Sequence, residues 1–268
     1  MENNNLKISV VTVCYNAVDC IEETMLSVLD QTYPNIEYIV IDGGSSDGTA
    51  DIIRKYADRL SYWVSEPDKG IYDAMNKGIV AATGDYINFM NVGDRFADDS
   101  TLSRFVPCIE NDTTVAFGDW NILLDGRVSR RKPLAIKYLD SKLIFSHQAA
   151  FVSLAYHKVN LFDTSFRIAA DYNLVYNAVK RDNKKLQYIP EIIADYDVST
   201  INTSVLNFKL LMREKYRIWG IENNRIKKLP NELYLFRIRL SLAMRRILPA
   251  SVVLTVKRWL DSRRTHFN

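Results

Sequence analysis

Glu66-Pro67-Asp68-Lys69-Gly70-Ile71-Tyr72-Asp73-Ala74-Met75-Asn76-Lys77-Gly78-Ile79, then Ala82-Thr83-Gly84-Asp85-Tyr86-Ile87 and Asn91-Val92-Gly93-Asp94, reads as a glycine-hinged polar loop, a helix, a strand and an acidic turn. Ile71, Ala74, Met75, Gly78, Ile79 and Ala82 recur at i, i+3, i+4, i+7, i+8 and i+11, the spacing of one helix face. Such a face packs on a sheet. Tyr86 to Met90 supplies the next strand, and Asp94 stands beyond its carboxyl end. Open α/β sheets collect ligands at that edge, which makes Asp94 a candidate site residue.

Toward the N-terminus, Ile8 to Cys14 predicts a buried first strand, and Asp19-Cys20-Ile21-Glu22 has capping-box spacing for a helix carrying Met25, Leu26, Val28 and Leu29. Ile36 to Ile41 predicts a second strand, Thr49 to Tyr56 a second helix and Leu60 to Val64 a third strand. This βαβαβ alternation is half of a nucleotide-binding sheet. Toward the C-terminus the pattern predicts a helix near Ser100 to Cys108, a strand at Thr114 to Gly118 and a hairpin around Asp125-Gly126. Phe162 to Val179 ends in a helix, and Leu186 to Val198 reads as paired short strands interrupted by Pro190. The expected fold class is α/β: a Rossmann-like, mostly parallel sheet flanked by helices over residues 1–200, with a helical extension over 201–268.

The 268 residues, 47% hydrophobic and 25% charged, have ordinary globular composition. No uncharged apolar run reaches about 18 residues, and Met1-Glu2-Asn3-Asn4-Asn5 lacks a basic, apolar leader, so a cytoplasmic protein is expected. Cys14, Cys20 and Cys108 fit neither a zinc spacing nor a disulfide framework and read as small core residues. The net charge of +3 conceals an asymmetry, because residues 201–268 hold 15 Lys plus Arg against 4 Asp plus Glu, or +11, leaving −8 for residues 1–200. A basic tail calls for an anionic partner. No nucleic-acid module is recognisable, and Val252, Val253, Val256, Trp259 and Leu260 share one face of the last segment. An anionic membrane surface is therefore expected, with packing on the catalytic domain or on a second subunit of a homo-oligomer as the alternative.

Val10-Val11-Thr12-Val13-Cys14-Tyr15-Asn16, Ile41-Asp42-Gly43-Gly44-Ser45-Ser46-Asp47-Gly48-Thr49 and the stretch from Glu66 to Asp94 together resemble the family 2 inverting glycosyltransferases of the GT-A fold. Within that family the chain looks like bacterial surface-polysaccharide enzymes of the colanic-acid type, over roughly residues 6 to 200. The resemblance implies a nucleoside-diphosphate sugar donor, UDP-linked, a glycan or lipid-linked acceptor, and Mn²⁺ or Mg²⁺. Val13, Tyr15, Asn16 and Asp42 are then expected at the nucleotide. Tyr15 would stack on a pyrimidine, and a carboxylate would accept its N–H. Relatives often carry a second Asp after Asp42, where this chain has Gly43. Asp68, Lys69 and Gly70 would approach the phosphates and ribose, and Asn91 the nucleotide sugar.

Asp94 is expected to hold the metal, although Gly93 stands where relatives commonly carry another Asp. Asp171, in Ala169-Ala170-Asp171-Tyr172, matches the position of the base that deprotonates the acceptor hydroxyl. Capping of the helix is its alternative role. His147, in Phe145-Ser146-His147-Gln148, is a candidate for phosphate, metal or acceptor, and Asp119 for the acceptor side. A sugar nucleotidyltransferase would want a glycine-rich, basic loop where Asn16-Ala17-Val18-Asp19 stands. An inactive membrane scaffold is suggested by Gly43, Gly93 and Ala170 in place of three acids, and opposed by the retained Asp42, Asp94 and Asp171.

Overall fold

The computed structural model describes residues 5–124, 127–197 and 207–224. Its nine described strands form one sheet in the order β3-β2-β1-β4-β8-β6-β9-β5, with β7 paired to β6. They are β1 (Ile8–Cys14), β2 (Ile36–Asp42), β3 (Tyr62–Ser65), β4 (Tyr86–Phe89), β5 (Asp94–Phe96), β6 (Thr113–Leu124), β7 (Arg127–Arg131), β8 (Ala150–Ser153) and β9 (Lys185–Asp197). The described helices are α1 (Ile21–Leu29), α2 (Thr49–Lys55), α3 (Ile71–Ala81), α4 (Thr101–Phe105), α5 (Leu154–Val159), α6 (Ala170–Lys180) and α7 (Phe208–Ile218).

The expected βαβαβ half is present. β1 is buried along its whole length, as a strand covered on both faces must be. Val10 and Val40 join Ile21, Met25, Val28 and Ile53 in the core, while Val11 lies under Gly78 of α3. The strands run in register, with Cys14 opposite Asp42 and Asp42 opposite Ser65, so three carboxyl ends are level. The loops that follow are therefore neighbours, and this alignment builds the site.

Beyond β4 the sheet is mixed. β8 runs antiparallel to β4 and to β6, whereas β9 runs parallel to β6. The paired short strands expected at Leu186 to Val198 are one strand, β9. Pro190 falls where the β6 register breaks between Phe117 and Asp119, so the missing N–H costs no ladder bond there. Likewise Asp94 opens the short strand β5 instead of lying in a free turn. Two local expectations change as well. The first residue of α1 is preceded by Cys20 with no side-chain cap, because the Ala17 carbonyl takes the Cys20 and Ile21 amides. In α3, Ile71 is exposed and Tyr72 is buried in its place. The hairpin is seen in the Leu124–Arg127 pairing, its two connecting residues lying outside the described ones.

The chain divides into compact units between Glu214 and Lys215, inside α7, later than the expected boundary at residue 200. Residues 233–248 and 249–268, on which the membrane expectation rests, lie outside the described residues.

Candidate active site

At the level ends of β1, β2 and β3, short polar residues tie the loops together. Asn16, in the left-handed region at φ 47°, donates its backbone N–H to Ser45 Oγ (2.8 Å), and its Oδ1 accepts the Ser46 N–H (3.0 Å). Asp42 is fully buried; its Oδ2 accepts the Ser45 N–H (3.0 Å) and the Ser65 hydroxyl (2.5 Å), and its Oδ1 accepts the Ser45 hydroxyl. The Asp42 oxygens thus brace the loop from within, while the exposed Asn16 ties the loop at its rim. Val13 is buried too, with its carbonyl taking the Val92 N–H (3.3 Å). Tyr15, by contrast, is 64% exposed and offers its ring to solvent. Asp68 is half-buried and its Oδ1 accepts the Gly70 N–H (2.7 Å), while the exposed Lys69 gives its N–H to Asp73 (3.0 Å).

A second group lies beyond β4. Gly93 sits at φ +92° with open space around its Cα, so the backbone of the Asn91–Asp94 turn favours glycine there over another acid. Thr24 of α1 clamps the turn, accepting the Gly93 N–H (3.0 Å) and donating to the Asp94 carbonyl (2.8 Å). From the other side, a 3-10 turn at His147–Ala149 provides two consecutive contacts. Gln148 Nε2 donates to Asp94 Oδ1 (2.9 Å), and His147 Nε2 lies 3.2 Å from Asn91 Nδ2. Burial pushes the Asp94 carboxyl up to about 6, against the pull of His147 and Gln148.

Asp171 stands in the first turn of α6. The residue preceding that helix is Ala169, whose side chain makes no cap, so Asp171 is the first-turn side chain that meets a helix amide. Its Oδ1 accepts the Tyr172 N–H (2.7 Å) and faces the Tyr72 hydroxyl at 3.4 Å. Burial raises its pKa, opposed by His147, which thus lies near enough to influence both carboxylates. Beneath Asp171 and His147 is a cavity of about 30 Å³ walled by Met75, Phe89, Phe162 and Leu174. His157 borders it, wholly buried, with Nε2 unpartnered and its pKa lowered by burial to about 4. An apolar floor under a carboxylate raises its basicity, which suits a base for a hydroxyl proton.

The loop leading to Asp171 is anchored by Glu214 of α7. Its carboxylate accepts the backbone N–H groups of Arg167 (2.7 Å), Ile168 (3.0 Å) and Ala169 (2.9 Å). Asp119 has a buried carboxylate that is paired with Arg130 (2.6 Å) and accepts the Tyr188 hydroxyl (2.8 Å).

The glycosyl transferase family 2 profile matches residues 9–167, spanning β1 to the loop before α6. The chain belongs to glycosyl transferase family 2. It is 36% identical over 178 residues to an uncharacterized glycosyltransferase of Mycobacterium tuberculosis (strain ATCC 25618 / H37Rv), covering 64% of this chain and 68% of that protein. It is 33% identical over 126 residues to TuaG of Bacillus subtilis (strain 168), named for teichuronic acid biosynthesis, covering 46% of this chain and half of that one. Among solved structures, the S. aureus TarS fragment 1-349 in complex with UDP-GlcNAc superposes with a TM-score of 0.63 at 19% identity, over 80% of this chain and 66% of that one. The Pyrobaculum calidifontis mannosyltransferase PcManGT in complex with GDP-Man and Mn2+ gives 0.64 at 18%, over 97% and 82%. The fold is that of the GT-A glycosyltransferases, and the chain is a glycosyltransferase enzyme. Family membership sets aside the nucleotidyltransferase alternative.

In this glycosyltransferase a divalent metal fits the residues present. Among the described residues no three His, Cys, Asp or Glu side chains gather into a metal-sized group. The Asn91 Oδ1 is nevertheless buried with no partner, in the turn that ends at Asp94. A carboxylate and a carboxamide oxygen are the hard donors that Mg²⁺ and Mn²⁺ take when phosphates complete the shell. Sequence reasoning missed Gln148, Tyr72 and Glu214. Gln148 adjoins a quoted candidate, so adjacency was a usable signal; for Glu214, 43 residues beyond Asp171, the sequence carries none.

Proposed function

We propose that the enzyme transfers a sugar with inversion from a nucleoside-diphosphate sugar, UDP-linked, to a hydroxyl of a glycan or lipid-carried oligosaccharide in surface polysaccharide synthesis. One observation carries the reading: Asp171 is held by Tyr72 and Tyr172 through Oδ1, over an apolar floor, beside the His147 that also influences Asp94. Asp171 accepts the acceptor's hydroxyl proton as that oxygen forms its bond to the anomeric carbon. The bond from that carbon to the diphosphate breaks on the opposite face, and the leaving group departs with the electron pair. Asp94 and Asn91 would hold the metal, which when bound supplies Lewis-acid stabilisation to the departing diphosphate. Tyr15 stacks on the base, and Lys69 and Gly70 face the phosphates and ribose. TuaG's name supports a surface polysaccharide as the product, and TarS with UDP-GlcNAc supports the uridine donor.

Incubating the full chain with a panel of UDP-sugars and Mn²⁺ tests this. Slow donor hydrolysis releasing a sugar of inverted anomeric configuration, read by proton NMR, is expected, and retained configuration overturns the mechanism. The basic tail is proposed to dock the enzyme on anionic membrane, where a lipid-carried acceptor resides. No helix among the described residues is long and apolar enough to cross a membrane. Salt-sensitive co-sedimentation with anionic vesicles, lost on deleting residues 249–268, is the expected result.

A further inference from the structure

The segment that delivers Asp171 is held at both ends by side chains from distant helices. At its start, Asn76 of α3 accepts the Phe162 N–H through Oδ1 (2.9 Å) and donates from Nδ2 to the Phe162 carbonyl (2.9 Å). At its end, just ahead of α6, the amides of Arg167, Ile168 and Ala169 converge on one carboxylate, that of Glu214. Successive main-chain N–H groups aimed at one point form an anion-binding nest. Here the anion is a side chain of the same polypeptide.

An apolar contact would fasten the loop without a charge. Glu214 is instead a buried carboxylate, a group that burial destabilises unless hydrogen bonds replace its water. Three amide bonds are directional: they fix the peptide planes of 167–169 and with them the bearing of the first turn of α6, where Asp171 stands two residues past the last of the three. The Glu214 charge also reaches the site, because burial, Asp171 and Glu214 together push up the phenol of Tyr72, which faces Asp171 Oδ1 at 3.4 Å. The family profile ends at residue 167, so this grip comes from a residue 47 positions beyond Arg167 and outside the profile.

We infer that Glu214 is a positioning residue of the transfer reaction: as an internal ligand of the amides ahead of α6, it sets where the Asp171 carboxylate meets the acceptor hydroxyl. The inference rests on the reading of Asp171 as the base. It makes the chain through Glu214 part of the catalytic machinery, where the sequence suggested an extension beginning at residue 201.

Donor hydrolysis by the full chain, with Mn²⁺ and the UDP-sugar that the wild type cleaves fastest, provides the test. Glu214→Ala should lower kcat about 10- to 100-fold, the scale of a base displaced by about 1 Å, while KM and calorimetric UDP affinity stay within about twofold. Formate or acetate, added at constant ionic strength, should restore much of the kcat of Glu214→Ala by filling the nest, and should do nothing for the wild type or for Asp171→Asn. A loss of stability alone would not divide kcat from KM in this way. A kcat in folded Glu214→Ala equal to that of the wild type overturns the inference, as does a parallel fall of kcat and UDP affinity that no carboxylate repairs. Should Glu214→Ala not fold, Glu214→Gln takes its place, since it keeps one acceptor oxygen and the side-chain volume, and a wild-type kcat there is equally decisive. If Asp171→Asn hydrolyses the donor as fast as the wild type, the base reading itself has failed. An inactive Asp171→Asn beside an unaffected Glu214→Ala sinks this inference alone.

Discussion

The two ends of the same parallel strands are built to opposite rules. At the amino ends of β1 and β2, Glu37 sits buried with every direction answered: Ser9 Oγ (2.6 Å), Thr83 N–H (2.7 Å), Thr83 Oγ1 (2.6 Å) and Lys7 Nζ (3.1 Å) all donate to it. Burial alone would raise its pKa, but these hydrogen bonds outweigh it and hold the carboxyl at about 2. At the carboxyl ends Asp94 and Asp171 are raised by burial, and Asn91 Oδ1 is buried with no partner among the described residues. Room does not separate the two ends. A surface depression of about 750 Å³ opens among Leu6, Asp85, Glu110 and Asp112 at the amino end, while the cavity under Asp171 holds about 30 Å³. Asn91 Oδ1 is an unpaired buried acceptor at the carboxyl end, although Asn88 Oδ1 within β4 and Asn177 Oδ1 within α6 are also buried without a partner.

That contrast can be broken most forcefully at Asp171. Asp171→Asn should lower transfer at least about 100-fold, the usual scale of general-base catalysis, while UDP affinity by calorimetry stays within error. Retention of most of the turnover would move the base elsewhere. Next in size, Asp94→Ala should abolish the Mn²⁺ dependence of UDP binding. Gln148→Ala, which releases Asp94 Oδ1 and the Ser146 hydroxyl, should weaken Mn²⁺ binding about 10- to 100-fold in a paramagnetic-resonance titration. Equal metal affinity in all three proteins would place the metal on other residues.

The amino end should answer in stability alone. Glu37→Gln is expected to cost roughly 2–3 kcal/mol in urea unfolding, the scale of a charged hydrogen bond left unmade, with kcat unchanged in the folded fraction. Because its folded pKa of about 2 lies below the ordinary carboxylate value, Glu37 stabilises the fold above that ordinary value. The contribution is lost as pH falls through the folded one. Wild-type protein should therefore lose its advantage over Glu37→Gln between about pH 4.5 and 2. An advantage that does not change with acid would show that the ionised carboxylate is not its source. The smallest effect is expected at Asp119→Asn. Tyr188 keeps an acceptor and the half-exposed Arg130 loses its ion pair, for roughly 1 kcal/mol of stability and no change in transfer. A fall in transfer there would place Asp119 on the acceptor side.

Periodicity and turn chemistry were enough to read the βαβαβ half, the helix from Ile71 and the position of Asp94 beyond its strand, because each depends on contacts within a few residues along the chain, whereas Asp171 is marked by the family resemblance alone. A buried strand such as Val10 to Cys14 announces itself by composition, and a sheet's ligand edge follows from strand direction. The tertiary structure alone decided which acids are spent and which are available. Asp42, Asp68 and Asp119 are the same residue type in comparably polar contexts. Asp42 is bound by Ser45 and Ser65, Asp119 by Arg130 and Tyr188, whereas the half-buried Asp68 takes the Gly70 N–H. Ser65, Arg130 and Tyr188 lie 11 to 69 residues away, beyond a local pattern, whereas Ser45 is a turn contact three residues on. The long strand β9, with Pro190 at a register break, and the Glu214 brace behind Asp171 were hidden for the same reason. Hydrogen-bond satisfaction is a property of neighbours in space, and for buried groups it determines whether a carboxylate holds the fold or serves the reaction.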